Sequence, residues 1–182
     1  EELYSHITPK KSHKLIIDKL PLNIINVGLI HRVFPDAKFI LALRHPSDCV
    51  LSCFMQSFEL NDAMSNFLTL HQSARLYDAV MTLWMHYNRT LDLEVGTVRY
   101  EDLVQDLQGV AGPLLNFLGL DWHDNLLSYQ QTAFSRGKIN TPSYNQVTQS
   151  LYTQSIGRWG NYKDQMEKEW SYLEPWVEKF RY

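Results

Sequence analysis

Residues 37–43, AKFILAL, form an apolar run, interrupted only by Lys38, that stops at Arg44, and Pro46 follows two residues later. So short a run suits a strand better than a helix, and its lack of polar alternation fits a strand covered on both faces, as in a parallel sheet. Residues 46–58, PSDCVLSCFMQSF, then read as a helix. Proline is tolerated in a first turn, where its missing N–H would have no partner, and Ser47 and Asp48 suit the positive helix end. The chain therefore delivers a guanidinium to the carboxyl end of a strand, just where a helix starts. Open α/β sheets bind their ligands at such strand ends.

The rest of the chain extends the pattern. Residues 13–18, HKLIID, read as a short buried strand, and residues 21–35 as a helix ended by Pro35. A polar break at 59–66 precedes a long amphipathic helix over 67–93. A third strand runs from Thr97 to Tyr100, with a helix starting at Glu101 and Asp102, and a short helix follows over 112–120. Residues 128–156 are polar and read as one long loop; 157–182 return to helices, with Pro175 at a first turn or kink. The order β-α-β-α-α-β-α predicts an α/β fold, a parallel sheet flanked by helices with right-handed crossovers, in a single domain over 1–182. Three strands make a thin sheet and the first residue is Glu1, so truncation at the N-terminus is expected.

A net charge of −3 supplies no global basic field, which argues against nucleic acid as a partner and makes any anion site local. Cys49 and Cys53 share one predicted helix and no further cysteine exists, so both are expected as reduced core thiols. No apolar run approaches the ~20 residues of a membrane span. The sequon Asn88-Arg89-Thr90 falls inside a predicted helix and reads as chance. His31, His71, His86 and His123 have no evident partners and read as structural or surface residues.

The three predicted strands end at Lys19, Arg44 and Tyr100. Two cations and an aromatic ring on one rim suit an anionic ligand that carries a ring, such as a nucleotide. Arginine forks two hydrogen bonds onto a phosphate, and lysine supplies a mobile point charge. Ser52, a turn and a half into the helix after Arg44, would lie beside it. Each residue alone has a plainer role: Arg44 in an ion pair with Asp48, Ser52 as helix filling, Lys19 as an exposed lysine, Tyr100 as core. Their joint placement favours a ligand.

Three stretches, DKLPLNIINVGLIHRVFPDAKFILALRHPSDCVLSCF, VRYEDLV and PSYNQVTQSLYTQSIGRWGNY, occur in that order. Together they resemble the C-terminal two-thirds of sulfotransferases that use 3′-phosphoadenosine 5′-phosphosulfate (PAPS). The pattern is most like the bacterial tetratricopeptide-linked branch and, more distantly, the tyrosylprotein sulfotransferases, and it covers most of residues 15–165. The resemblance implies a P-loop-NTPase-like sulfotransferase fold and transfer of a sulfuryl group from PAPS to an acceptor hydroxyl on a small molecule, protein or glycan. It implies Arg44 and Ser52 as the grip on the cofactor's 3′-phosphate and Lys19 as the catalytic lysine facing the sulfuryl group. Tyr100 would lie near the adenosine, and Arg158 would close over the 3′-phosphate. Ser143, rather than Thr141, would be a further binder. Residues 128–156 would border cofactor and acceptor. PAPS and its product PAP are the implied cosubstrate pair, with no metal. Upstream tetratricopeptide repeats are implied as neighbours, with a cytoplasmic setting in a bacterium or the Golgi lumen in a eukaryote.

One family landmark is missing. The Gly/Ser/Thr-rich loop that cradles a 5′-phosphosulfate on backbone N–H groups has no counterpart between Glu1 and Lys19. The family's usual base, Glu or His, is placed near that loop or just after it, and Pro21 stands where one branch has His, so no base is assigned. Residues 1–182 alone are therefore expected to be inactive. A non-catalytic module that binds a nucleotide or PAP is the alternative. A P-loop kinase relative is another, although neither a Walker-type lysine motif nor a Mg²⁺-binding aspartate motif is present.

Overall fold

In the computed structural model, which describes residues 15–20, 22–128 and 153–182, the apolar run becomes strand β1 (Lys38–Leu43). It pairs in parallel with β2 (Glu94–Arg99), in a register that sets Phe39 beside Val95 and Leu43 beside Arg99. Helix α1 (Val27–Val33) precedes β1. The crossover that parallel pairing demands runs through α2 (Pro46–Phe54) and α3 (Leu70–Thr90). After β2 come α4 (Tyr100–Gln105) and α5 (Leu107–Leu118). Short turns over Arg158–Tyr162, Lys163–Met166 and Glu167–Glu169 lead into α6 (Trp170–Phe180). The described residues thus form an open α/β arrangement, a two-stranded parallel sheet flanked by helices.

Side chains alternate across a strand, and β1 sends Phe39, Leu41 and Leu43 to one face. There they pack with Val27, Met81, Trp84 and Trp176. A second cluster, Val50, Leu51, Ala74, Met166 and Leu173, ties α2 to α3 and α6. Helix α3 serves both clusters. Its start is fixed by Thr69, whose Oγ1 accepts the Gln72 N–H at 3.1 Å. Buried Trp176 keeps its indole N–H satisfied by donating to Asp78 Oδ1 at 2.8 Å. Arg99 fastens the far end of α6 to the end of β2. Its guanidinium donates to the carbonyls of Phe180 and Arg181 and lies 4.2 Å from the Tyr182 ring centroid. A cation there also complements the negative end of the helix dipole.

Several expectations change. Residues 15–18 form no strand: Leu15, Ile16 and Ile17 are exposed, Ile17 by 73%. Apolar character alone does not make a strand without a ladder to pair its backbone groups, and the described sheet offers this segment none. β1 is covered on one face only. Ile40 and Ala42, on the other, are exposed because α5 lies over β2 instead. A Cβ on Gly96 would sit 3.1 Å from both Leu114 and Phe117, so the missing side chain is what lets α5 come that close. The helix expected over 21–35 opens as a 3₁₀ turn, Asn23–Asn26, with no capping side chain at Leu22. Bonds such as Ile25 N–H to Leu22 O at 3.0 Å tighten that uncapped turn. Pro21 lies outside the described residues. The helix expected at 112–120 starts earlier, because Asp106 caps it by accepting the Gly109 N–H at 2.8 Å. Tyr100 opens α4 rather than ending β2. Of the loop expected over 128–156, residues 129–152 lie outside the described residues. No described helix is long and apolar enough to cross a membrane.

The two kinds of apolar residue separate in a stability measurement. Trp84 is 4% exposed and Leu29 65%. Trp84→Ala is expected to cost about 3–5 kcal/mol in urea unfolding, and Leu29→Ala less than about 0.5 kcal/mol. Equal losses would mean that the Trp84 cluster is not the core.

Candidate anion-binding site

Arg44 leaves β1 one residue past its last ladder pair. Its Nη2 donates to the Ser155 carbonyl at 2.7 Å, and its guanidinium lies 5.3 Å from the Tyr100 ring centroid, within the range of a cation–π contact. Its Nε is buried with no acceptor among the described residues. Beside it opens a cavity of about 100 Å³, lined by Arg44, Asp48, Leu51, Ser52, Tyr100, Ser155 and Arg158. The strand end brings Arg44 to this cavity, the first turns of α2 bring Asp48 and Ser52, and the start of α4 brings Tyr100. The segment before α6 brings Ser155 and Arg158.

Asp48 binds these pieces together. It is 1% exposed. Its Oδ2 accepts the Gly157 N–H at 2.7 Å and its Oδ1 accepts the Trp159 N–H at 2.8 Å. The carboxylate therefore holds the amides on both sides of Arg158. Gly157 sits at φ 67°, the left-handed conformation that glycine adopts without a Cβ penalty. Trp159 locks the segment further, its ring stacked 5.1 Å from His45 and 5.7 Å from Trp170.

His45 is the hinge between this segment and the strand end. Its N–H donates to Glu101 Oε1 at 2.9 Å, and its Nδ1 accepts the Ser47 N–H at 3.2 Å, capping α2. An accepting Nδ1 fixes the tautomer with the proton on Nε2. Burial holds the His45 pKa below its ordinary value; Asp48 and Glu101 pull it back up and Arg44 reinforces the lowering. Both thiols of α2 are free. The hydrogen bond that the Cys49 S–H donates to Cys53, together with burial, pushes the Cys49 thiol well up.

The cavity gathers four of the residues singled out in the sequence: Arg44, Ser52, Tyr100 and Arg158. Lys19 is not among its lining residues; it lies in the exposed segment 15–20. Ser143 lies outside the described residues. The Arg44–Asp48 ion pair considered from sequence does not form, because both Asp48 oxygens are committed to backbone N–H groups. Asp48 and Ser155 were not singled out. An aspartate in a first helical turn looks like an ordinary partner of the helix dipole, and its bonds reach 109 and 111 residues along the chain. Gly157, free to turn where Arg158 must be presented, was the available signal.

Residues 2–124 match the sulfotransferase family. A protein of Aquifex aeolicus (strain VF5), described only as an uncharacterized protein, is 29% identical over 167 residues, which is 91% of this chain. The chain spans 21% of that relative's length. Arg44, Ser52 and Tyr100 fall within the family match, and Arg158 beyond it.

The lowered His45 pKa sets a direction for pH. Below its ordinary value of 6.5 the unfolded chain takes up a proton that the folded chain resists, so stability falls as pH drops through that region. His45→Asn keeps a capping acceptor but cannot titrate. It is expected to flatten the pH dependence of the unfolding midpoint between about pH 5 and 7. An unchanged slope would remove His45 from the account.

Proposed function

The chain belongs to the sulfotransferase family, and from that membership we propose that it takes part in sulfuryl transfer from PAPS to an acceptor hydroxyl, with the cavity beside Arg44 as the anchor for the 3′-phosphate. The observation that carries this reading is the pairing of Arg44 with Arg158 and Ser52 around a cavity of about 100 Å³, with one buried guanidinium N–H still lacking an acceptor among the described residues. That volume is far below the ~300 Å³ at which small-molecule pockets begin. It suits a phosphate-sized group and leaves the body of a nucleotide outside.

The cosubstrate supplies the sulfuryl group. The chain's own residues bind and orient. Arg44, Ser52 and Arg158 hold a phosphate that does not react, and binding energy taken at that remote end fixes the geometry of the reacting end. Tyr100, under the Arg44 guanidinium, orients the cation and offers a ring edge to the adenosine side. Lys19 is proposed to place positive charge by the oxygen that leaves, since sulfuryl transfer, like phosphoryl transfer, is catalysed mainly by positioning and cationic stabilisation. Its absence from the cavity lining is in keeping with a role at the reacting end. Ser143 is proposed as a further binder. Binding of PAP without turnover by this stretch is the second reading. It is favoured by the exposed setting of Lys19.

Calorimetric titration with PAP and with adenosine 5′-phosphate tests the reading. PAP is expected to bind more tightly. Arg44→Ala should weaken PAP by about 2–4 kcal/mol, the cost of truncating a buried charged partner, and Ser52→Ala by about 1 kcal/mol. Equal affinity for the two nucleotides would sink the 3′-phosphate assignment. In a transfer assay on the full-length protein, Lys19→Ala should lower kcat and leave PAP affinity unchanged; a loss confined to PAP binding would move Lys19 out of the catalytic role.

A further inference from the structure

Asp48 is a buried carboxylate in the wall of a cavity read as an anion site, where its charge works against the ligand. Three roles could keep it there. The first two, neutralising Arg44 and complementing the positive end of α2, act through charge alone. The third acts through position. The geometry favours the third: both oxygens are spent on backbone N–H groups, at 2.7 and 2.8 Å, of residues 157 and 159. Those amides flank Arg158, and Ser155, whose carbonyl accepts from Arg44, lies two residues upstream.

We propose that Asp48 is a positioning residue for phosphate binding: it arches the 155–159 segment so that Arg158 faces Arg44 and Ser52 across one cavity. The inference rests on the reading of that cavity as the 3′-phosphate anchor. It makes the two halves of the grip interdependent. The strand-end arginine and helix serine lie in the family-matched stretch and Arg158 lies beyond it, and Asp48 is the buried link between them. Gly157, at φ 67°, allows both amides to point at one carboxylate.

Charge and position predict opposite signs, which makes the proposal testable. Asp48→Asn removes one negative charge from the cavity wall. If charge alone mattered, an anion would bind the variant more tightly. An asparagine, however, offers one acceptor oxygen where the carboxylate offers two, and turns an N–H₂ donor toward the remaining backbone N–H. If Asp48 positions Arg158, binding weakens although the site has become more positive.

The experiment is calorimetric titration of PAP and of adenosine 5′-phosphate into the wild type, Asp48→Asn, Arg158→Ala and the double variant. Asp48→Asn is expected to weaken PAP by about tenfold or more, the scale of a lost buried charge-assisted bond, with little change for adenosine 5′-phosphate. In the Arg158→Ala background its effect should largely vanish, because residues that act through one another are not additive. Unchanged or tighter PAP binding, or additive losses, overturns the proposal. A ligand-free measurement covers the case of a variant that folds poorly. Amide hydrogen exchange at Gly157 and Trp159 should accelerate in Asp48→Asn while the amides of α6 keep their protection. Unchanged exchange at the two amides overturns the proposal, and so does acceleration throughout α6, which would make Asp48 a general structural residue. Wild-type protein that binds both nucleotides equally would instead remove the phosphate reading, and the exchange result would still report whether Asp48 holds the segment.

Discussion

A carboxylate taken out of water must be paired or hydrogen-bonded, or it costs several kcal/mol. Asp48 meets that requirement with two backbone N–H groups that come from the far end of the chain. Everything near the cavity inherits its geometry from this. In the register that the 155–159 segment takes, neither oxygen is orphaned. Trp159 then falls onto His45, Ser155 onto Arg44, and Arg158 onto the cavity.

The parts legible in the sequence are those governed by local physics. The apolar run ending in arginine and followed by proline is a strand, a turn and a helix, and Lys38–Leu43 and Pro46–Phe54 take those forms. The amphipathic repeat near Leu76, Val80 and Leu83 is likewise a helix. Arg44, Ser52 and Tyr100 converge because strand ends and helix starts meet by construction in an α/β layer. What was not legible depends on partners distant along the chain. LIID has the composition of a strand, yet whether it becomes one depends on a neighbouring ladder. Asp48 looks like a helix-dipole residue until its partners more than a hundred residues away are known. Coverage of β1 on one face only follows from Gly96 drawing α5 toward β2, a packing choice that no periodicity in β1 encodes.

Arg44 shows how a side chain proposed for binding is held without being fully engaged. One N–H is engaged by a carbonyl and the flat face of the guanidinium rests on Tyr100, while Nε remains without an acceptor among the described residues. The side chain is thereby held in one rotamer before any ligand arrives, which lowers the ordering cost of binding. The cavity's small volume has a related effect, since a phosphate held there has little room to shift and so aligns whatever is attached to it.

Arg99 lies one residue before Tyr100 and grips the last carbonyls of α6. The turn that follows α6 is thus a bearing for the rim of the candidate cavity. Cutting away the residues after Val177 would strip acceptors from a half-buried guanidinium and unseat Tyr182 from both Arg99 and Glu101. The disturbance would reach the ring beneath Arg44 through a single peptide bond. Changes to the residues after Val177 therefore act on the surroundings of Arg44, however distant they look along the sequence.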